Sequence, residues 1–98
     1  MMDLNQLRQQ KSGIQQICAR HGVTDLKVFG SVARGEASQN RDVDFLIDYD
    51  PNKTTPWFPG GLITELSDFL GVDVDVTFST ALEQPYLGDA IAEDLVAL

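Results

Sequence analysis

Two short stretches of the chain alternate between apolar and polar residues, which is the pattern of half-buried β-strands. Residues 42–48 read Asp-Val-Asp-Phe-Leu-Ile-Asp, and residues 72–78 read Val-Asp-Val-Asp-Val-Thr-Phe. A third stretch, residues 25–29, runs into a Gly-Ser pair and predicts one more strand. Apolar residues at helical spacing predict three helices, at about residues 3–20, 62–70 and 87–96.

These elements, with a short helical turn expected at residues 31–35, follow the order α–β–turn–β–α–β–α. This order predicts an α/β (α+β) fold, in which helices flank a small mixed β-sheet. The chain has 98 residues, of which 43% are apolar, so we expect one domain over residues 1–98. It contains no run of 18 apolar residues. We therefore expect no membrane association and a cytoplasmic location.

The acidic charge of the chain is concentrated in its second half. The net charge is −8, and residues 54–98 contain eight acidic residues with no Lys, Arg or His. Such a surface repels a phosphate backbone, so we expect no stable complex with DNA or RNA. It would suit a basic protein partner, although the same charge could equally serve solubility.

The alternating strands carry the candidate catalytic carboxylates. Asp42 and Asp44 lie two residues apart, so their side chains point to the same side of a strand. Asp75 faces away from the valines beside it, and Asp73 shares its face, so alternation does not choose between these two. If the strands are neighbours, three carboxylates meet, and two charges about 4 Å apart repel by about 4 kcal/mol at an effective dielectric of about 20.

A cluster of this kind needs a cation to neutralise it. Oxygen donors without His or Cys predict Mg²⁺ or Mn²⁺, held partly by substrate phosphates. Two such ions could span the attacking and leaving oxygens of a displacement at phosphorus.

A small-residue turn precedes the aspartates, because Gly30 and Ser31 are separated from Asp42 by ten residues. A glycine at the end of a strand lets a triphosphate approach the backbone, and the Ser31 hydroxyl adds one hydrogen bond. Arg34 could neutralise the phosphates, or it could pair with Glu36 or a nearby aspartate. Each motif alone is usually structural, but their combination predicts nucleotidyl transfer.

Trp57 and Phe58 are adjacent aromatic residues in a loop rich in Pro and Gly, residues 49–61. They could form a patch that binds a partner. We expect instead that they anchor the loop to the core.

The stretches Val28–Ala37 and Asp42–Ile47 together resemble the minimal nucleotidyltransferase (MNT) family of the polymerase-beta-like superfamily. Residues 70–76 resemble the strand that carries the family's third carboxylate, and the family's glycine, two residues, Val-Asp pattern assigns that carboxylate to Asp75 rather than Asp73. The resemblance implies two sets of functional residues: catalytic and metal-binding Asp42, Asp44 and Asp75, and nucleotide-binding Gly30, Ser31 and Arg34.

The same resemblance implies a function and a partner. MNT proteins act as antitoxins that use ATP and Mg²⁺ to transfer AMP to a tyrosine of a HEPN-domain ribonuclease toxin. Two alternatives remain open. One is a small-molecule nucleotidyltransferase, which would need an acceptor pocket built by a dimer or a partner. The other is an antitoxin that neutralises its partner by binding alone.

Overall fold

The computed structural model describes residues 2–36 and 42–98. The helices are α1 Leu4–Gln9, α2 Lys11–Arg20, α3 Gly30–Ala33, α4 Gly60–Leu70 and α5 Leu87–Asp94. The strands are β1 Val23–Phe29, β2 Val43–Tyr49, β3 Val74–Phe78 and β4 Val96–Ala97, and a 3₁₀ helix covers Ser79–Glu83. No helix in this part of the chain has the length and hydrophobicity needed to cross a membrane.

The strands form a mixed sheet in the order β3-β2-β1-β4. Strand β2 runs antiparallel to β1 and parallel to β3, and β4 pairs antiparallel with β1. Helices flank this sheet, which confirms the predicted fold class.

Side-chain alternation along β2 divides the sheet into two different faces. Val43, Phe45 and Ile47 are buried in the main core, together with apolar side chains of α1, α2 and α4. On the other face, Leu46 packs against the 3₁₀ helix and α5 in a smaller cluster. The polar residues of β2 share that second face, and they are therefore only partly covered.

The predicted helix over residues 3–20 is divided at Gln10 into α1 and α2. Asp3 begins α1 with a capping box: its side chain accepts from the backbone N–H of Gln6, and the Gln6 side chain accepts from the backbone N–H of Asp3. The prediction of one helix is wrong because residues 8–12 are all polar and offer no apolar side chain that would bury a continuous face.

Near the C-terminus, strand and helix boundaries also differ from those predicted from the sequence. Strand β3 begins at Val74 rather than at residue 72, and α5 ends at Asp94 rather than at residue 96. The residues after α5 pair with Lys27 and Val28 of β1 to form β4. A two-residue strand is too short to leave an alternating pattern in the sequence.

The two aromatic residues of the Pro-rich loop, Trp57 and Phe58, have different environments. Phe58 packs against Tyr49 and Phe78, with ring centroids 4.9 and 6.1 Å away. Trp57 is 81% exposed, so the prediction that it anchors the loop is wrong. Of these two residues, it is therefore Phe58 that joins this loop to the aromatic rings at the end of β2 and β3.

Candidate functional site

The pairing of β2 with β3 brings two of the candidate carboxylates side by side. Asp44 is the register partner of Asp75 in this parallel pair. Both point away from the face on which Val43 and Val74 are buried. Because adjacent strands lie about 4.8 Å apart, the two carboxylates are direct neighbours across the sheet. Asp44 is half-buried and Asp75 is exposed.

Asp42 and Asp73 lie just before β2 and β3, respectively. The backbone carbonyl of Asp73 accepts a hydrogen bond from the N–H of Val43 at 3.0 Å, and its side chain is exposed. Asp42 is half-buried, and its negative charge is one of the causes that raise the pKa of Asp44. The structure thus gathers the three predicted aspartates at one end of the sheet.

Asp44 is the electrostatic centre of this group. Burial, and then the charges of Asp75 and Asp42, raise its pKa above the ordinary value, whereas the charge of Arg34 lowers it. Within residues 2–36 and 42–98, no Lys, Arg or His forms an ion pair with any of the three aspartates. The cluster therefore concentrates negative charge that no described side chain pairs with directly, and Arg34 offsets it only in part.

Gly30 lies against the Asp44 carboxylate at the end of β1. Its φ is +78°, and a Cβ added there would overlap Oδ2 of Asp44 and lie 3.2 Å from its Cγ. Phe29, the register partner of Asp44, places this turn next to the aspartate. Glycine is needed here for two reasons: the left-handed backbone and the space taken by the carboxylate.

Ser31 follows in the short helix α3, whose Val32 is buried in the core. Among residues 2–36 and 42–98, no side chain caps the first turn of α3. The N–H groups at the start of a helix have no intrahelical acceptors. Ser31 is half-buried beside the Gly30 turn.

Arg34 pairs with two carboxylates. Its Nη1 donates to Oδ2 of Asp94 at 2.5 Å, and its Nε donates to Oε2 of Glu36 at 3.3 Å. The sequence left a phosphate contact and an ion pair as alternatives, and the structure shows ion pairs. Sequence reasoning missed Asp94, which is 60 residues away. The available signal was an acidic residue in the last turn of a predicted helix, where the helix dipole disfavours negative charge.

The donor set has the chemistry that Mg²⁺ requires, because it consists of carboxylate oxygens. A cation would also relieve the repulsion that raises the pKa of Asp44. As arranged, however, the described residues contain no group of three or more His, Cys, Asp or Glu side chains placed to hold a metal ion. Asp42, Asp44 and Asp75 offer the oxygen donors that this ion takes, and phosphate oxygens of a substrate would have to supply its remaining positions.

The raised pKa predicts the effect of removing the charge on Asp44. Its ionisation destabilises the folded protein; this contribution is absent well below the ordinary pKa of 3.8 and complete above the folded pKa. Asp44→Asn should therefore raise the thermal unfolding midpoint of the nucleotide-free protein by a few degrees near neutral pH, and should have little effect at about pH 3. Asp73→Asn removes an equal charge outside the Asp44–Asp75 pair and should change the unfolding midpoint less. Equal shifts for the two variants would contradict the claim that Asp44 is the carboxylate whose ionisation destabilises the fold.

The Gly30 turn allows a second prediction, with Gly71 as the control. Gly71 has φ +70°, and no described atom lies within 4 Å of an added Cβ. Alanine at either position should cost about 1 kcal/mol in backbone strain. Gly30→Ala should lower the free energy of unfolding in urea more than Gly71→Ala does, because Asp44 must move. This extra loss should vanish in an Asp44→Ala background. An excess that persists without the Asp44 carboxylate would show that the overlap is not its cause.

The profile of the nucleotidyltransferase domain family matches residues 11–98. A candidate protein adenylyltransferase of Methanocaldococcus jannaschii is 35% identical over 78 residues, which are 79% of this chain and 78% of that protein. Protein adenylyltransferase MntA of Thermococcus cleftensis is 38% identical over 64 residues, which are 65% of this chain and 64% of that protein.

Two solved structures share the fold. One, of a candidate minimal nucleotidyltransferase, has a TM-score of 0.79 and 36% identity over 99% of this chain and 97% of that chain. The other, a toxin–antitoxin crystal structure with AMP-PNP, has a TM-score of 0.61 and 19% identity over 89% of this chain and 70% of that chain, and it shows a common fold alone. The family match and the shared fold agree with the site geometry, and the chain belongs to the nucleotidyltransferase domain family.

Proposed function

We propose that this chain, as one minimal nucleotidyltransferase domain over residues 1–98, is an Mg²⁺-dependent protein adenylyltransferase that acts as an antitoxin. It transfers AMP from ATP to a tyrosine hydroxyl of a HEPN-domain ribonuclease toxin in the cytoplasm. The observation that carries the proposal is the register pair of Asp44 and Asp75 beside the Gly30 turn. The names of the adenylyltransferase relatives and the AMP-PNP in the toxin–antitoxin structure support it. The HEPN partner and the tyrosine rest on the resemblance of the sequence to the MNT family.

In this proposal each aspartate has a distinct role. Asp42 and Asp44 would hold two Mg²⁺ ions, and Asp75 would complete one of the two sites. When bound, Mg²⁺ would neutralise phosphate charge and stabilise the charge that develops in the transition state. Asp75 is exposed on the edge strand β3, where an incoming acceptor can reach it, and it takes the proton of the acceptor hydroxyl.

The chemical step is a displacement at the α-phosphorus of ATP. The tyrosine oxygen forms a bond to this phosphorus as the bond to the bridging oxygen breaks, and pyrophosphate leaves. Gly30 allows the triphosphate to approach the backbone, Ser31 donates a hydrogen bond to it, and Arg34 neutralises part of its charge.

The surface near the 3₁₀ helix supports a protein partner. Leu82, Tyr86 and Leu87, here called the 82–87 patch, are exposed apolar residues, and Tyr86 is 89% exposed. Glu83 lies between these residues and Asp89 follows them, within residues 54–98, which contain no basic residue. The patch suits a partner surface with apolar pockets and a basic rim.

Labelling with ATP tests the proposed reaction directly. Incubated with Mg²⁺, ATP labelled at the α-phosphate and a HEPN-domain protein encoded beside it, the chain should place label on a tyrosine of that protein. Asp44→Asn and Asp75→Asn should reduce labelling at least about 100-fold, whereas Asp73→Asn should stay within about threefold of the parent.

Label on a small molecule would instead favour small-molecule transfer. Toxin neutralisation by the Asp42→Asn, Asp44→Asn double variant at matched expression would favour binding alone.

Substitution of the 82–87 patch tests the docking of the partner. Tyr86→Ala should weaken binding to the HEPN-domain protein about 10-fold or more, since buried aromatic anchors dominate interface energetics. Trp57→Ala removes a comparably exposed aromatic side chain outside the patch and should have little effect. Binding should also weaken as salt is added, because the acidic surface meets a basic one. Equal loss for both variants, or insensitivity to salt, would argue against this surface.

A further inference from the structure

We propose that Asp94 is a positioning residue for nucleotide binding, which holds the guanidinium of Arg34 near the Gly30 turn so that its Nη2 meets the phosphates of ATP. This inference rests on the proposed function, because it takes the nucleotide to bind at the Gly30 turn.

The first support is the geometry of the ion pairs. Asp94 binds Nη1 of Arg34 at 2.5 Å, and Glu36 binds Nε at 3.3 Å. For Nη2, residues 2–36 and 42–98 provide no hydrogen-bond partner. Two edges of the planar guanidinium are thus held by the protein, and the third remains able to donate to a ligand.

The two carboxylates do not contribute equally. The side chain of Asp94 is 18% exposed, compared with 66% for Glu36 and 43% for Arg34. The bond to Asp94 is also the shorter one, and shielding from water strengthens a charge-assisted hydrogen bond. Asp94 is therefore the main determinant of where the guanidinium lies.

The position of Asp94 is not explained by the stability of its own helix. It is the last residue of α5, whose last turn contains no basic residue. A carboxylate at the C-terminal end of a helix is disfavoured by the helix dipole. Arg34 offsets this cost, so the long-range pair accounts for an acid at this position.

The backbone on both sides of Asp94 is fixed to the sheet. Three residues earlier, Ile91 is buried with Leu46 of β2. Two residues later, Val96 pairs with Val28 of β1. The carboxylate is therefore held in place relative to the strands that carry the candidate site.

Arg34 also lies beside the Gly30 turn. Its backbone N–H donates to the carbonyl of Gly30 at 3.1 Å, and Gly30 lies against the Asp44 carboxylate. A side chain that starts at this turn and is held by Asp94 is close to where phosphates at the Gly30 turn would bind.

Calorimetric titration with ATP and Mg²⁺ tests the role of Asp94. Asp94→Asn should raise the Kd for ATP about 3- to 10-fold, because Arg34 loses its main anchor. In the labelling reaction, KM for ATP should rise in the same proportion, with kcat within about twofold. Glu93→Gln removes the same charge one residue earlier on α5, where no ion pair is formed among the described residues, and should leave both values unchanged.

A double-substitution cycle separates positioning from a structural role. In an Arg34→Gln background, Asp94→Asn should have no further effect on the Kd, because both changes remove the same contact. Asp94→Glu keeps the charge and should restore most of the affinity. The unfolding midpoint without nucleotide reports on α5 itself. If Asp94→Asn proves unstable, Asp94→Ser provides a second neutral variant.

Unchanged ATP affinity in Asp94→Asn, a lowered unfolding midpoint with unchanged affinity, or an effect that persists without Arg34 would each overturn the inference. A parent protein that binds no ATP would instead overturn the proposed function.

Discussion

The parallel pairing of β2 with β3 is the constraint on which the candidate site depends. This register puts Asp44 beside Asp75 on one face and leaves Val43 and Val74 in the core on the other. A slip of one residue along one strand would move its carboxylate into the core and its apolar side chains to the surface. Burial of the valines therefore specifies the pairing, and the pairing brings the like charges together.

Two elements distant in the sequence, the turn after β1 and the end of α5, carry residues whose types are explained by this site. The turn after β1 carries Gly30, because a side chain there would occupy the space of the Asp44 carboxylate. The end of α5 supplies Asp94, which accepts a hydrogen bond from Arg34, four residues after Gly30. The raised pKa of Asp44 and the acid at a helix C-terminus are each locally unfavourable, and the left-handed turn restricts position 30 to glycine. Their convergence at one place is typical of a functional site, where local costs are tolerated for chemistry.

The sequence predicts those features whose cause is local. Alternation with a period of two predicted the strands and the shared face of Asp42 and Asp44, since each follows from backbone geometry alone. It could not choose between Asp73 and Asp75, because their relation to Asp44 depends on the register with another strand. The partner of Arg34 and the short strand β4 depend on tertiary contacts in the same way. Trp57 is exposed whereas Phe58 packs against Tyr49, and only the tertiary packing distinguishes these two neighbours.

The most direct test of the account is a crystal structure grown with Mn²⁺ and a non-hydrolysable ATP analogue, with the metal located by its anomalous scattering. At least one metal peak should lie in contact with the carboxylates of Asp44 and Asp75 and with phosphate oxygens. A nucleotide bound at the Gly30 turn with metal on its phosphates alone, or bound elsewhere on the protein, would contradict it.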